Sequence, residues 1–218
     1  MRLLKQLIAC CMLLVVLPAN AHYIWLEPSA KQANMYFGEY AEDLREITGG
    51  RLDSIAAPEA SLLKAGKLVP VAYTRQANHL ELAVAGNQPV VIQDVKMKVK
   101  DLRKYNIGIV KPMYYARFAT AETEAASGLD FDIQPSAAGK VKVSLHGKPL
   151  AKAKLEIIAP NQWMQELETN EAGEVAVKTP WPGLYVVHVV YVEQAQGTYE
   201  GEAYEGIRHV GTLSFIKP

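Results

Sequence analysis

The chain is expected to be mainly β, folded as two β-sandwich-like, immunoglobulin-like domains with few short helices. Three observations lead there. Apolar and polar residues alternate at period two through many short segments. Clusters of Gly, Pro and Asn separate those segments at the spacing of a β-sandwich. No long amphipathic helix, heptad run or internal repeat occurs in the 218 residues.

The elements follow in order. Met1 to Lys5 is basic, Leu7 to Leu17 is apolar, and Pro18-Ala19-Asn20-Ala21 is a small-x-small cut site. Together they read as an export signal over residues 1–21, with His22 left as the first residue of the mature chain. The apolar run is too short to span a bilayer. Leu7-Ile8-Ala9-Cys10 resembles a lipoprotein box but falls too early, with apolar residues continuing past it. His22-Tyr-Ile-Trp-Leu-Glu-Pro28 is a strand stopped by proline. Tyr36 to Tyr40 is expected as a second strand, and Glu42 to Ile47 as a short helix ending at Gly49-Gly50. Leu68 to Tyr73 and His79 to Val84 read as strands around a polar turn. Gly86-Asn87-Gln88-Pro89 is turn chemistry, and Val90 to Val99 another strand. Asp101 to Thr120 shows no clean period and is expected to be irregular or helical. Ala121 to Gly128 is rich in Ala, Glu, Ser and Gly, which places a boundary between an N-terminal β-rich domain (22–125) and a C-terminal immunoglobulin-like domain (126–218). In the latter, Val141, Val143 and Leu145 alternate with lysines and Ser144, and Leu155 and Ile157 with Lys154 and Glu156. Leu184 to Val192 and Ile207 to Phe215 are the two long final strands.

Composition narrows the function. Both cysteines, Cys10 and Cys11, lie in the leader, so the mature chain is expected to have neither disulfides nor thiolate metal sites. Losing Arg2 and Lys5 takes Lys+Arg from 23 to 21 against 23 acidic residues, a net of −2. No basic excess points to nucleic acid or a membrane surface, and no second segment approaches transmembrane length. The expected location is the periplasm. Serine-hydrolase, phosphate-loop, zinc-protease and calcium-loop motifs are absent from the sequence, so it is not expected to be an enzyme.

Two resemblances carry further expectations. The segment Gly147-Lys-Pro-Leu, Thr169-Asn-Glu-Ala-Gly173-Glu-Val and Pro182-Gly183-Leu-Tyr185 resembles the bacterial immunoglobulin-like and transthyretin-like modules of surface proteins. The mature chain, opening Ala21-His22-Tyr-Ile-Trp-Leu-Glu-Pro28 and closing His209-Val-Gly-Thr-Leu-Ser-Phe215, also resembles periplasmic proteins grouped as a domain of unknown function and linked to nickel or cobalt uptake. That second resemblance implies metal handling at the cell envelope. The opening histidine is similar, in one residue, to copper proteins and polysaccharide monooxygenases that hold copper in a histidine brace.

Candidate ligands come from the five histidines. A histidine at a free N-terminus offers its α-amine and ring Nδ1 to one ion, a donor pair that suits copper, nickel and zinc. If Val192 faces Ile207 in a final hairpin, His188 and His209 become diagonal neighbours on one face, whereas a one-residue slip would part them. The expected metal residues are therefore His22, His209 and His188. The bland reading of His188 and His209 is that each is a satisfied histidine on an apolar face. The acidic loop 193–206 is expected as a solvated loop or an oxygen donor. Glu39, Glu42 and Asp43 read as surface charge, and Glu27 as a poor co-ligand. His79 and His146 are expected to be exposed, Trp25 and Trp181 buried, and Trp163 exposed. The expected function is binding of a divalent transition metal (nickel, cobalt or copper) for uptake or delivery, with an envelope transporter or outer-membrane receptor as partner. A metal-free protein-interaction module and a histidine-brace copper monooxygenase are the alternatives.

Overall fold

The structure is a computed structural model that describes residues 22–29, 31–85, 88–121, 124–137 and 139–218, and the expected leader lies outside them. Among these residues the period-two segments form strands. The first seven are β1 (Tyr23–Pro28), β2 (Ala33–Glu39), β3 (Leu44–Arg45), β4 (Glu59–Lys64), β5 (Lys67–Val71), β6 (Tyr73–Arg75) and β7 (Leu80–Leu82). Next come β8 (Val90–Asp94), β9 (Lys100–Asp101), β10 (Ile109–Ala119), β11 (Phe131–Ala137), β12 (Lys140–Leu145), β13 (Lys148–Pro149) and β14 (Lys154–Ile158). The last six are β15 (Met164–Glu168), β16 (Glu174–Ala176), β17 (Gly183–Glu193), β18 (Gly197–Tyr199), β19 (Glu202–Tyr204) and β20 (Gly206–Lys217). The only helical elements among the described residues are 3-10 turns at Tyr40–Glu42, Arg51–Ser54 and Arg103–Tyr105. The fold is mainly β and sandwich-like, as the alternation predicts.

Three sheets stack. The middle one runs β15-β14-β17-β20-β10-β8-β4-β5, with β9 on β10. Its pairings are antiparallel except β10 with β20, which is parallel. On one face lies the sheet β1-β2-β7-β6, and a core of Ile24, Trp25, Leu26, Met35 and Leu80 packs against Tyr114, Val186 and Val210. On the other lies β11-β12-β13, where Phe131, Ile133 and Val143 pack on Tyr115, Tyr185, Val187 and Leu213. Each fully buried side chain of this size contributes about 1.5–3 kcal/mol. Because the middle sheet is covered on both faces, its strands bury successive residues of both parities. The buried Thr212 Oγ1 donates to the Ile24 carbonyl at 2.7 Å and ties β1 to β20. Strands from either side of residue 125 meet in this one sheet.

Several expectations change. Asp101 to Thr120 is not irregular or helical over most of its length, because it holds the eleven-residue strand β10 at the sheet's centre. Its period is hidden because both faces are buried and two of the buried positions are charged. Lys111 Nζ donates to the Val95 carbonyl at 2.6 Å, and Arg117 pairs with Asp132 and Glu124. Pro112 falls in the gap between the β9 and β8 pairings, where that edge of β10 has no ladder partner. Glu42 to Ile47 holds a strand rather than a helix, with Leu44–Arg45 returning on β2. Val90 to Val99 is extended as a strand only to Asp94. Trp25 is buried, but Trp181 is 37% exposed and meets the exposed Trp163 edge-on at 5.3 Å.

Candidate functional site

Each expected ligand has its own carboxylate partner. His22 stands at the head of β1. The β1–β2 register, from Pro28 opposite Ala33 to Tyr23 opposite Gly38, brings Glu39 beside it. Gly38 then lets the chain double back. A Cβ there would collide with the Leu44 carbonyl oxygen, so β3 can approach β2 only over a glycine. The returning chain delivers Glu46, whose amide donates to the Phe37 carbonyl at 2.8 Å. His22 Nδ1 thus lies 3.1 Å from Glu39 Oε1 and Nε2 lies 2.5 Å from Glu46 Oε1, with all three side chains at least four-fifths buried. Arg51 Nη1 is 3.3 Å from the same Nε2. A neutral imidazole has a single N–H. In the tautomer that donates it to Glu46, Nδ1 is left as a bare acceptor 3.1 Å from Glu39 Oε1, a buried oxygen that has no hydrogen-bond partner. Two acceptors this close with no proton between them are an arrangement that a cation satisfies.

His209 sits on the opposite face of the middle sheet. Its Nε2 is 3.0 Å from Glu193 Oε2, and Tyr115 Oη is 3.4 Å from its Nδ1. His146, in a left-handed turn conformation beside Gly147, brings its Nε2 within 3.2 Å of Glu193 Oε1. The ligand atoms of His146, Glu193 and His209 all lie within 4.8 Å of one another. This is the only group of three or more His, Asp or Glu residues so arranged among the described residues. Burial, partly offset by Glu193, lowers His209 below the ordinary histidine range. Burial works to raise the Glu193 carboxyl, but hydrogen bonds with His209 and His146 carry it below the ordinary glutamate range.

His188 is placed differently. Directly opposite Glu156 in the β14–β17 pair, it brings Nδ1 within 3.2 Å of Glu156 Oε2. Its ring stacks on Tyr23 at 4.2 Å, and Nε2 is buried without a partner. The hydrogen bond with His188 is the main reason the Glu156 carboxyl is lowered.

The final hairpin pairs Glu193, not Val192, with Ile207. This is a slip of one residue from the expected register. It turns His188 toward β1 and His209 toward Phe131, so the three histidines expected to share a site do not gather. Gly211 pairs with Val189, and the space beside it is filled by Phe131.

Several partners were not foreseen. Glu39 and Glu46 were missed as companions of His22, and His146 was expected to be merely exposed. The proline stop at Pro28 and the turn after it could have found Glu39, since counting back along a tight hairpin pairs it with His22. Glu27 is engaged elsewhere, accepting from Trp25 Nε1 at 2.8 Å and Arg45 at 2.9 Å. Comparison with protein-family models, with curated proteins and with solved structures gives no match. No helix among the described residues is long and apolar enough to cross a membrane.

Proposed function

We propose that this chain is exported and, once processed to begin at His22, binds a divalent transition metal (nickel, cobalt or copper) for uptake or delivery at the cell envelope. The observation that carries the reading is the pair formed by His22 Nδ1 and the unpartnered Glu39 Oε1, 3.1 Å apart. That separation suits two ligands of one ion with metal–ligand bonds of about 2.0–2.2 Å. The freed α-amine supplies a third donor from the same residue as Nδ1. Glu46 holds the ring through Nε2, which fixes the orientation that a ligand imidazole needs. Nitrogen-rich coordination favours copper over nickel over cobalt by intrinsic affinity.

The test is a copper and nickel titration of the chain beginning at His22, beside the same chain with one glycine added ahead of His22. Tight binding that the added glycine and Glu39→Gln both weaken is the expected result. Equal binding in all three forms, or none, overturns the reading. A second reading places the ion at His146, Glu193 and His209, and the closeness of their ligand atoms favours it. It predicts binding that the added glycine leaves alone and His146→Ala abolishes. The histidine-brace alternative finds less support, because His22 is flanked by two carboxylates rather than by a second histidine.

A further inference from the structure

Beyond His22 lies an open cavity of about 310 Å³ whose charged side chains are all basic. We propose that it binds a small organic anion, one that carries a carboxylate or phosphate group on an apolar body, and that Arg208 is its anchor.

Arg208 projects from β20 on the face shared with β1 and is 8% exposed. Burial works against its charge and the neighbouring Tyr114 hydroxyl offsets that in part, but it makes no ion pair among the described residues and its Nε is buried without a hydrogen-bond partner. A buried guanidinium left in that state is costly unless something satisfies it. Lys100, from β9, lines the same cavity, as does Arg51 from the 3-10 turn after Gly50. Lys100 keeps an exposed surface, yet its ammonium is held below the ordinary lysine range, first by desolvation and then by the charges of Arg208 and Arg51. The three cations thus line one cavity as like-charged neighbours. Arg51 is 3.9 Å from Glu46, the nearest carboxylate recorded for any of them, and Glu46 is already bonded to His22. No Asp or Glu lines the cavity.

The walls decide the rest of the ligand. Phe37, Leu102, Ile107 and Pro112 give the cavity an apolar lining. The volume is at the lower end of small-molecule sites, which combine apolar walls with a few placed polar groups. Planar guanidinium forks match the paired oxygens of carboxylate and phosphate. A solvated basic surface would not need to bury one of its arginines. The inference does not depend on metal binding at His22.

The test is calorimetric titration of the metal-free chain beginning at His22 with citrate, benzoate and inorganic phosphate, with neutral benzamide as the control. Saturable binding of at least one anion, with none of benzamide, is expected. Arg208→Met should weaken it roughly tenfold to a hundredfold, the range for losing a charge-assisted hydrogen bond. It should also raise the melting temperature of the ligand-free protein, since it removes an unpaired buried charge. Lys100→Met, at an exposed position, should weaken binding without harming the fold. Binding of benzoate but not phosphate would assign a carboxylate with an apolar body, and the reverse a phosphate. The proposal is overturned if no anion binds, or if binding survives both substitutions unchanged.

Discussion

Asp132→Ala tests how the two halves of the chain are joined. Arg117 in β10 is 1% exposed, and its Nη1 lies 3.1 Å from Asp132 Oδ2 in β11, itself 2% exposed. Arg117 Nη2 reaches Glu124 at 3.0 Å and the Ala125 carbonyl at 2.7 Å, and the Ser127 amide donates to Asp132 at 2.8 Å. The residues around 124–127, expected to be a domain boundary, are thus drawn onto one buried guanidinium. Removing one partner of a buried ion pair costs about 3–5 kcal/mol, because the remaining charge stays desolvated. Glu124 remains as a counter-charge, but the Ser127 amide loses its acceptor, so that range should hold. For a chain of this size it corresponds to a fall in melting temperature of roughly 6–20 °C. Urea unfolding followed by tryptophan fluorescence and by far-ultraviolet circular dichroism is the assay, with m unchanged. Asp101→Ala, which breaks the exposed pair with Arg103, is the control and should leave the midpoint where it is. A loss below about 1 kcal/mol for Asp132→Ala would mean that the pair behaves like a solvent-screened surface bridge and would refute the argument.

Three further outcomes are expected. The lowered His209 means that the unfolded chain takes up a proton near pH 6.5 which the folded chain refuses until lower pH. Stability should therefore fall as pH drops below about 6.5, and His209→Gln should flatten that part of the profile in denaturation at each pH. An unchanged slope in the variant would sink the assignment. Below it, the depressed Glu193 and Glu156 lose their contributions as pH falls from the ordinary glutamate range through their folded values. Gly211→Ala would place a Cβ 2.8 Å from Phe131 Cδ1 and 3.3 Å from Ile133 Cδ1. Overpacking of this kind costs about 1–3 kcal/mol, and adding Phe131→Leu should recover part of it. No loss on Gly211→Ala would contradict the packing of β11 on β20.

The sequence alone determined most of what is local. Tyr23 to Pro28, Val141 to Leu145, Leu184 to Val192 and Ile207 to Phe215 alternate at period two or run apolar between turn residues, and all are strands. That signal needs only neighbours in the chain. It failed at β10, where burial on both faces and the partnered charges Lys111 and Arg117 erase the alternation. What the tertiary structure decided was pairing. One residue of register between β17 and β20 sends His188 and His209 to opposite faces, and no local pattern selects between the two registers when both faces are apolar. Glu46 and Glu193 are indistinguishable in sequence from the solvated glutamates around them. A histidine gains its carboxylate through tertiary structure: cross-strand pairing sets Glu39 beside His22 and Glu156 beside His188, the strand return at Gly38 brings Glu46, and the turn at His146 meets Glu193. Arg208 shows the same division: its identity is plain in the chain, but only the packing of β9, β10 and β20 around it leaves that charge buried and unpaired.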